Sequence, residues 1–242
     1  KALQYVQDDI RYLGIENGVN SHQPTDPSVV YARGYGDCKD KALLFCTILR
    51  FFDVEASPVL VSTGFRQGIK SSIPSPLPFD HVIVQVILGG KTNYVDTTRT
   101  FQRGPLERRF VDLYGEGLPL GENSTGLIPV STTNPGLPQS IVDENFDVAT
   151  NGATALAVTN FYRGRDADFV RQGLASISLE LLKKNLLADY QKYHGDIVVT
   201  KAPEIYDEVE LNRVQIISHY FIPNIWKPAL QTNYITCEFA AS

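Results

Sequence analysis

Residues 34–38 read Gly-Tyr-Gly-Asp-Cys and stand between two helix-forming runs, and no other part of the chain restricts folding so tightly. Glycine ends the first run, because it is the residue that lets a chain turn sharply. Downstream, Ala42, Leu43, Cys46, Leu49 and Phe52 recur at helical spacing and keep one face apolar over about four turns. The turn therefore delivers Cys38 to the first turn of a helix. The amides there have no partner in the ladder, and the macrodipole is positive. A thiol so placed is most readily converted to the thiolate, its nucleophilic form. Cys38 is the candidate chemical centre.

Upstream, Leu3, Val6, Ile10 and Leu13 fall at helical spacing with Gln4, Asp8, Asp9 and Arg11 between them, which predicts an amphipathic helix over residues 2–13. Residues 14–28 are polar and turn-rich, with Pro24 and Pro27 excluding a helix interior. Asp26-Pro27 then supplies an N-cap and a first helical residue for a short helix over 28–33. After the Cys38 helix, residues 58–63 predict a strand. Residues 64–79, with Pro74, Pro76 and Pro78 in alternation, predict a long loop of the kind that flanks clefts. Residues 80–88 and 91–96 alternate as strands about a Gly89-Gly90 turn.

From 97 to 139 periodicity fades and prolines recur, which predicts a long irregular connection with a domain boundary late in it. Asn123-Ser124-Thr125 fits a glycosylation sequon, a pattern common by chance. Residues 140–161 read as a strand, an Asn151-Gly152 turn and a second strand. Residues 166–193 read as a helix interrupted near Ser176, with Leu179, Leu182, Leu186 and Leu187 on one face and Gly195 ending it. Further strands are expected at 197–200, 214–221 and 234–239. Arg163, Arg165 and Arg171 read as a solvated helix edge or as an interdomain contact.

A net charge of −5 argues against nucleic acid as the main partner, since phosphate binding needs clustered Lys and Arg. No apolar run reaches the length of a membrane span. No Cys/His spacing predicts a metal site, and nothing calls for a cofactor. Three cysteines do not make a disulfide framework. Cys38 and Cys46 would lie ~12 Å apart along one helix, too far for a disulfide. Cys46, on the apolar face, and Cys237 read as structural. The chain begins at Lys1 inside a helix-like run and has no Met, so it reads as a fragment or a processed form of a longer chain, whose signal peptide or upstream domain would not be visible in it.

A thiolate needs an imidazole to hold and shuttle a proton, and a third group to orient that imidazole. Of His22, His81, His194 and His219, His81 opens a strand whose partner ends at Asp96. If Gly89 and Gly90 are the two turn residues, Leu88 faces Lys91, His81 faces Thr98 and Asp96 faces Ile83. All four of the latter side chains then share one sheet face. His81 and Asp96 become diagonal neighbours ~7 Å apart, within reach of each other. A one-residue slip would part them. The N-terminus of the Cys38 helix is expected to pack against this pair, and the other three histidines read as surface or hydrogen-bonding residues.

Gly36-Asp37-Cys38-Lys39-Asp40-Lys41, Phe79-Asp80-His81-Val82-Ile83-Val84 and Tyr94-Val95-Asp96-Thr97-Thr98 together resemble the transglutaminase-like superfamily. The closer resemblance is to bacterial proteins in which a transglutaminase-like core is flanked by domains of unknown function. Gly164, Ala167-Asp168 and Arg171 resemble residues frequent in the domain that follows. Two positions depart from the pattern: Asp80 stands where Asn is usual before the His, and Thr97 where Pro is common after the Asp. Asp80 is expected to raise the basicity of His81.

The resemblance implies an α+β fold: a papain-like core, its Cys-bearing helix packed on an antiparallel sheet, then a smaller α+β domain with antiparallel strands. Residues 1–135 would hold the core and the irregular connection, and 136–242 the C-terminal domain. It implies Cys38 as nucleophile, His81 as base and acid, and Asp96 as the orienting carboxylate of an acyl-transfer enzyme on protein or peptide amides. Water as acceptor gives a protease or amidase, and an amine gives a transglutaminase. The alternative is a catalytically inactive interaction or scaffolding module. Gln23, Tyr35 and Asp80 are the further candidates for substrate or oxyanion contacts, although loop polarity also accounts for Gln23 and the Cys38 backbone N–H is the stronger oxyanion donor. The bacterial resemblance favours hydrolysis and a periplasmic or cell-envelope location.

Overall fold

The structure, a computed structural model, describes residues 1–14, 18–122, 124–130, 139–228 and 235–237. It divides into two compact units, Lys1–Leu137 and Pro138–Ser242. The expected boundary at 135/136, Asn123 of the sequon and both ends of the expected strand at 234–239 lie outside the described residues.

In the first unit, α1 (Ala2–Asp8) is shorter than the periodicity of its sequence. Asp8 and Asp9 stand at the negative end of its macrodipole, which disfavours continuation. Residues after Ile10 instead form β1 (Arg11–Tyr12), where Arg11 N–H donates to Gly34 O and Leu13 N–H to Gly36 O. Ile10 is buried with Leu3 and Val6, so the apolar spacing outlasts the helix.

Next comes α2 (Pro27–Arg33), capped by the Asp26 carboxylate on Ser28 N–H and closed by Gly34 at φ +72°. β2 (Tyr35–Gly36) pairs in parallel with β1, and α3 (Cys38–Phe51) follows at once. The apolar face of α3 is wider than expected: Leu44 and Phe45 are buried beside Ala42 and Cys46, because helices α1 and α2 and the sheet all pack on it. Phe52, expected on that face, lies past the helix and is 64% exposed.

The sheet is antiparallel, in the order β5-β4-β3-β6-β7. Its strands are β3 (Glu55–Val61), β4 (His81–Leu88), β5 (Lys91–Val95), β6 (Gly115–Pro119) and β7 (Ile128–Val130). The last two overturn the expectation of an irregular connection over 97–139. The glycines of β6 are what let it pack: a Cβ on Gly117 would come within 2.6 Å of Val59 Cγ1 and 3.0 Å of Leu60 O. Residues chosen for close approach carry no hydrophobic alternation.

Along β4 the sides alternate. Val82, Val84 and Val86 face the core shared with the helices, whereas Ile83 packs with Val59, Val61, Tyr94, Val111 and Tyr114. The register is that of a two-residue turn, Leu88↔Lys91 through Val84↔Val95, with Gly89 and Gly90 both at positive φ. Those conformations suit glycine and match the strand twist.

The second unit contains β8 (Ser140–Val148), β9 (Thr154–Arg163), α4 (Gly164–Leu174), α5 (Leu179–His194), β10 (Val198–Glu208) and β11 (Arg213–Ile222), with sheet order β10-β11-β9-β8. The helical run is two helices, and Ser178 caps the second through Leu181 N–H. β10 runs eight residues past the expected end at 200, because Pro203 lies on an edge strand with irregular register, where a missing N–H is tolerated. Short strands β12 (Lys227–Pro228) and β13 (Ile235–Thr236) pair with each other.

Arg171 is not part of a solvated edge. It is buried in α4 and donates to Asp207, Asp168 and Asn212.

Candidate active site

Cys38 is the first residue of α3, and its place is fixed by a reciprocal cap. The Asp37 carboxylate accepts from Lys39 N–H and Asp40 N–H, both at 3.1 Å. Asp40 answers by accepting from Asp37 N–H at 3.4 Å, Thr25 N–H at 2.7 Å and Arg33 Nη2 at 2.7 Å. Lys39 also pairs with Asp37. The Cys38 amide remains among those a helix ladder does not use.

His81 is the first residue of β4, and Asp96 follows the last residue of β5. His81 Nε2 donates to Asp96 Oδ2 at 2.9 Å, and the Cys38 thiol acts on the same imidazole. Nε2 is engaged by the carboxylate, which leaves Nδ1 for the sulfur. By strand alternation His81 continues the Ile83 side and packs on Tyr114, while the body of α3 covers the opposite side. The helix thus meets His81 through its first residue at the strand end.

Asp96 is buried and holds four donors. Thr98 N–H and Oγ1 occupy Oδ1 at 2.9 and 2.7 Å. His81 and the Tyr114 hydroxyl, at 3.2 Å, occupy Oδ2. Burial by itself would raise the carboxyl, but the His81 and Thr98 contacts outweigh it and hold Asp96 at about 2. Burial would likewise lower His81, yet the hydrogen bond to Asp96 and the influence of Asp96 and Cys38 on its charge push it up to about 10. The two shifts describe one buried pair, anionic on Asp96 and cationic on His81. Arg99 lies 3.8 Å from Asp96 Oδ2 and pairs with Asp112.

A polar frame surrounds these groups. Gln7 Nε2 donates to the Asp96 backbone carbonyl at 2.7 Å and to Gln102 Oε1 at 2.8 Å. Lys41, fully buried one turn past Cys38, donates to Ile10 O at 2.6 Å and Gln7 O at 3.3 Å. Burial brings its ammonium down to about 8, against the pull of Asp96 and Asp8. Sequence reasoning missed Gln7, Lys41, Thr98 and Tyr114. Gln7 between Leu3 and Ile10, and Lys41 one turn past Cys38, were legible as polar residues on inward faces. Thr98 two positions after Asp96 is a local side-chain-to-backbone pattern. Tyr114 had no such signal.

The remaining candidates have other partners. Gln23 is exposed in the loop before α2. Tyr35 lies under the Arg33 guanidinium, 4.5 Å from the ring centroid, and its carbonyl accepts from Arg33 Nε. Asp80 binds Thr63 through N–H at 2.7 Å and Oγ1 at 2.6 Å, closing the proline-rich loop at its base. The groups that raise His81 are Asp96 and Cys38, not Asp80. His22 is exposed, His194 stacks on Tyr190, and His219 lies 3.4 Å from Glu204. Cys46 is buried in the core, which pushes its thiol up to about 12.

Residues 1–95 match the family model of the transglutaminase-like superfamily, a segment that includes Cys38 and His81 and ends one residue before Asp96. No curated protein matches the chain. Among solved structures, the crystal structure of a "putative protease" from Parabacteroides distasonis ATCC 8503 aligns at TM-score 0.37 and 8% identity, over 89% of this chain and 43% of that one. The chain thus spans less than half the length of that protein.

Proposed function

Taking the transglutaminase-like segment 1–95 as premise, we propose that this protein is a cysteine-dependent acyl-transfer enzyme acting on amide or peptide bonds. The observation that supports this is the His81–Asp96 hydrogen bond, with Cys38 acting on His81 from a helix N-terminus. In this reading the Cys38 thiolate attacks the amide carbonyl carbon, and the Cys38 backbone N–H donates to the developing oxyanion. His81 gives its proton to the leaving nitrogen as the C–N bond breaks, leaving a thioester on Cys38. Asp96 holds the imidazole in the required tautomer and orientation. Water or an amine then attacks the thioester, His81 accepts the incoming proton, and the thiolate departs. Water gives a protease or amidase, and an amine gives a transglutaminase. The substrate is a protein or peptide.

Iodoacetamide alkylation of the native protein across pH tests the thiol. A free thiol near 8.5 is about 1% thiolate at pH 6.5, so a paired Cys38 is expected to react on the order of tenfold faster than a model thiol there. His81→Ala is expected to abolish that excess, and profiling with labelled amides then identifies the substrate. Ordinary thiol reactivity, unchanged by His81→Ala, would overturn the reading and leave an interaction module.

A further inference from the structure

We infer that Tyr114 is a positioning residue for the His81–Asp96 pair, holding the carboxylate in the rotamer that serves the imidazole; this rests on the acyl-transfer reading. One side chain touches both partners. Its hydroxyl donates to Asp96 Oδ2 at 3.2 Å, the oxygen that His81 Nε2 reaches at 2.9 Å. Its ring lies against the His81 ring, with centroids 5.9 Å apart and planes at 38°.

Tyr114 is 3% exposed, and a buried phenol needs a partner for its hydroxyl. Here that partner is the buried carboxylate itself. Thr98 pins the other oxygen, Oδ1, from the chain just after Asp96. The carboxylate is therefore fixed through both oxygens, and Tyr114 supplies the long-range half of that restraint. Tyr114 arrives from the segment before β6, nineteen residues beyond the family match at 95, so the clamp is built by chain that the matched segment does not contain.

The hydroxyl also changes the charge that His81 meets. A donor on Oδ2 draws off part of its negative charge and competes with His81 for it. Removing the donor leaves a stronger acceptor for the imidazolium and favours its protonated form. The other charged groups acting on this cluster are Asp80 and Arg99 on Tyr114, Lys41 on Asp96, Cys38 on His81, and Asp112 through its pair with Arg99.

Tyr114→Phe keeps the ring and deletes the hydroxyl. Two readouts are followed in the full chain: the titration of the His81 ring by NMR, and the step in Cys38 alkylation by iodoacetamide at the pH where His81 loses its proton. In Tyr114→Phe both are expected to move up by about half a pH unit or more. Difluorotyrosine at position 114, a stronger donor of similar volume, is expected to move both down and serves equally if the Phe variant does not fold. An unmoved or reversed His81 titration in the variants overturns the assignment, even where His81→Ala abolishes the alkylation step and the acyl-transfer reading stands. Absence of that step from the unmodified protein instead counts against the acyl-transfer reading, while the NMR titration still decides the role of Tyr114.

Discussion

Gln7 holds the backbone carbonyl of Asp96 from 89 positions away in sequence, its Nε2 donating at 2.7 Å. Its own Oε1 accepts from Arg109 Nη1 at 3.0 Å, and its backbone carbonyl accepts from Lys41 on the helix that begins at Cys38. One glutamine thus stands between the helix that carries the thiol and the strand end that carries the carboxylate. Gln7→Ala removes these side-chain bonds inside a buried site and opens a void. The expected cost is about 2–3 kcal/mol, read as a lower urea midpoint with little change in slope. An unchanged midpoint would show that the frame around Asp96 does not depend on Gln7.

The His81–Asp96 pair sets a pH window for stability. His81 is raised from 6.5 to about 10, so its contribution is whole below pH 6.5 and is lost as pH rises toward 10. Asp96 is lowered from 3.8 to about 2, so its contribution is whole above 3.8 and is lost as pH falls toward 2. Both are whole from about pH 4 to 6.5. Lys41 runs the other way: lowered from 10.5 to about 8, it withholds stability below 8 and returns it as pH rises through that interval. In Cys38→Ser, where the thiol's own proton does not enter the balance, the urea midpoint is therefore expected to fall between about pH 6.5 and 8, before Lys41 begins to offset the loss. His81→Ala is expected to flatten that fall, as measured by denaturation series at about pH 5, 7 and 8. Equal falls in both proteins would assign the pH dependence to other groups.

The parts of this chain that were legible in the sequence are those where local chemistry decides the outcome. Asp26-Pro27 capped α2 because the carboxylate needs its neighbour's N–H alone. Gly89-Gly90 set the β4–β5 register because a two-residue turn permits one alignment. What stayed hidden depends on distant partners. Residues 11–12 leave α1 for a ladder with residues 35–36, and β6 is recognisable through what Gly117 avoids on Val59. The same division runs through the candidate site. Cys38, His81 and Asp96 stand at element ends that the sequence marks, whereas Tyr114 and Gln7 reach Asp96 through tertiary packing.

Gly36 tests how closely the cap controls the thiol. A Cβ there would come within 2.7 Å of Asp40 Cβ and 3.2 Å of Val30 Cγ1. Asp40 Cβ sits next to the helix backbone, so relief requires the first turn of α3 to shift. Gly36→Ala is expected to cost about 1–3 kcal/mol as an overpacking change. It is also expected to slow Cys38 alkylation at pH 6.5, because the cap that places the thiol is displaced. A destabilised variant with unaltered alkylation would separate the cap from the thiol's reactivity.

Arg171 is the corresponding test in the second unit. Its Nε and Nη2 grip Asp207 at 3.0 and 2.9 Å, while Nη1 donates to Asp168 at 3.1 Å and Asn212 at 2.6 Å. That fork joins α4 to the end of β10 and to the turn before β11, where Asn212 stands at φ +45°. A lysine ammonium keeps the charge but lacks the planar fork that meets three acceptors at once. Arg171→Lys therefore leaves two carboxylates facing one incompletely bonded cation, at a cost of about 2–4 kcal/mol. Trp226 is the single tryptophan of the chain and packs against this unit's core, so its fluorescence reports unfolding there. The Trp226 transition is expected to shift to lower urea in Arg171→Lys. A midpoint equal to that of the unmodified protein would mean that the charge alone, and not the fork, holds α4 in place.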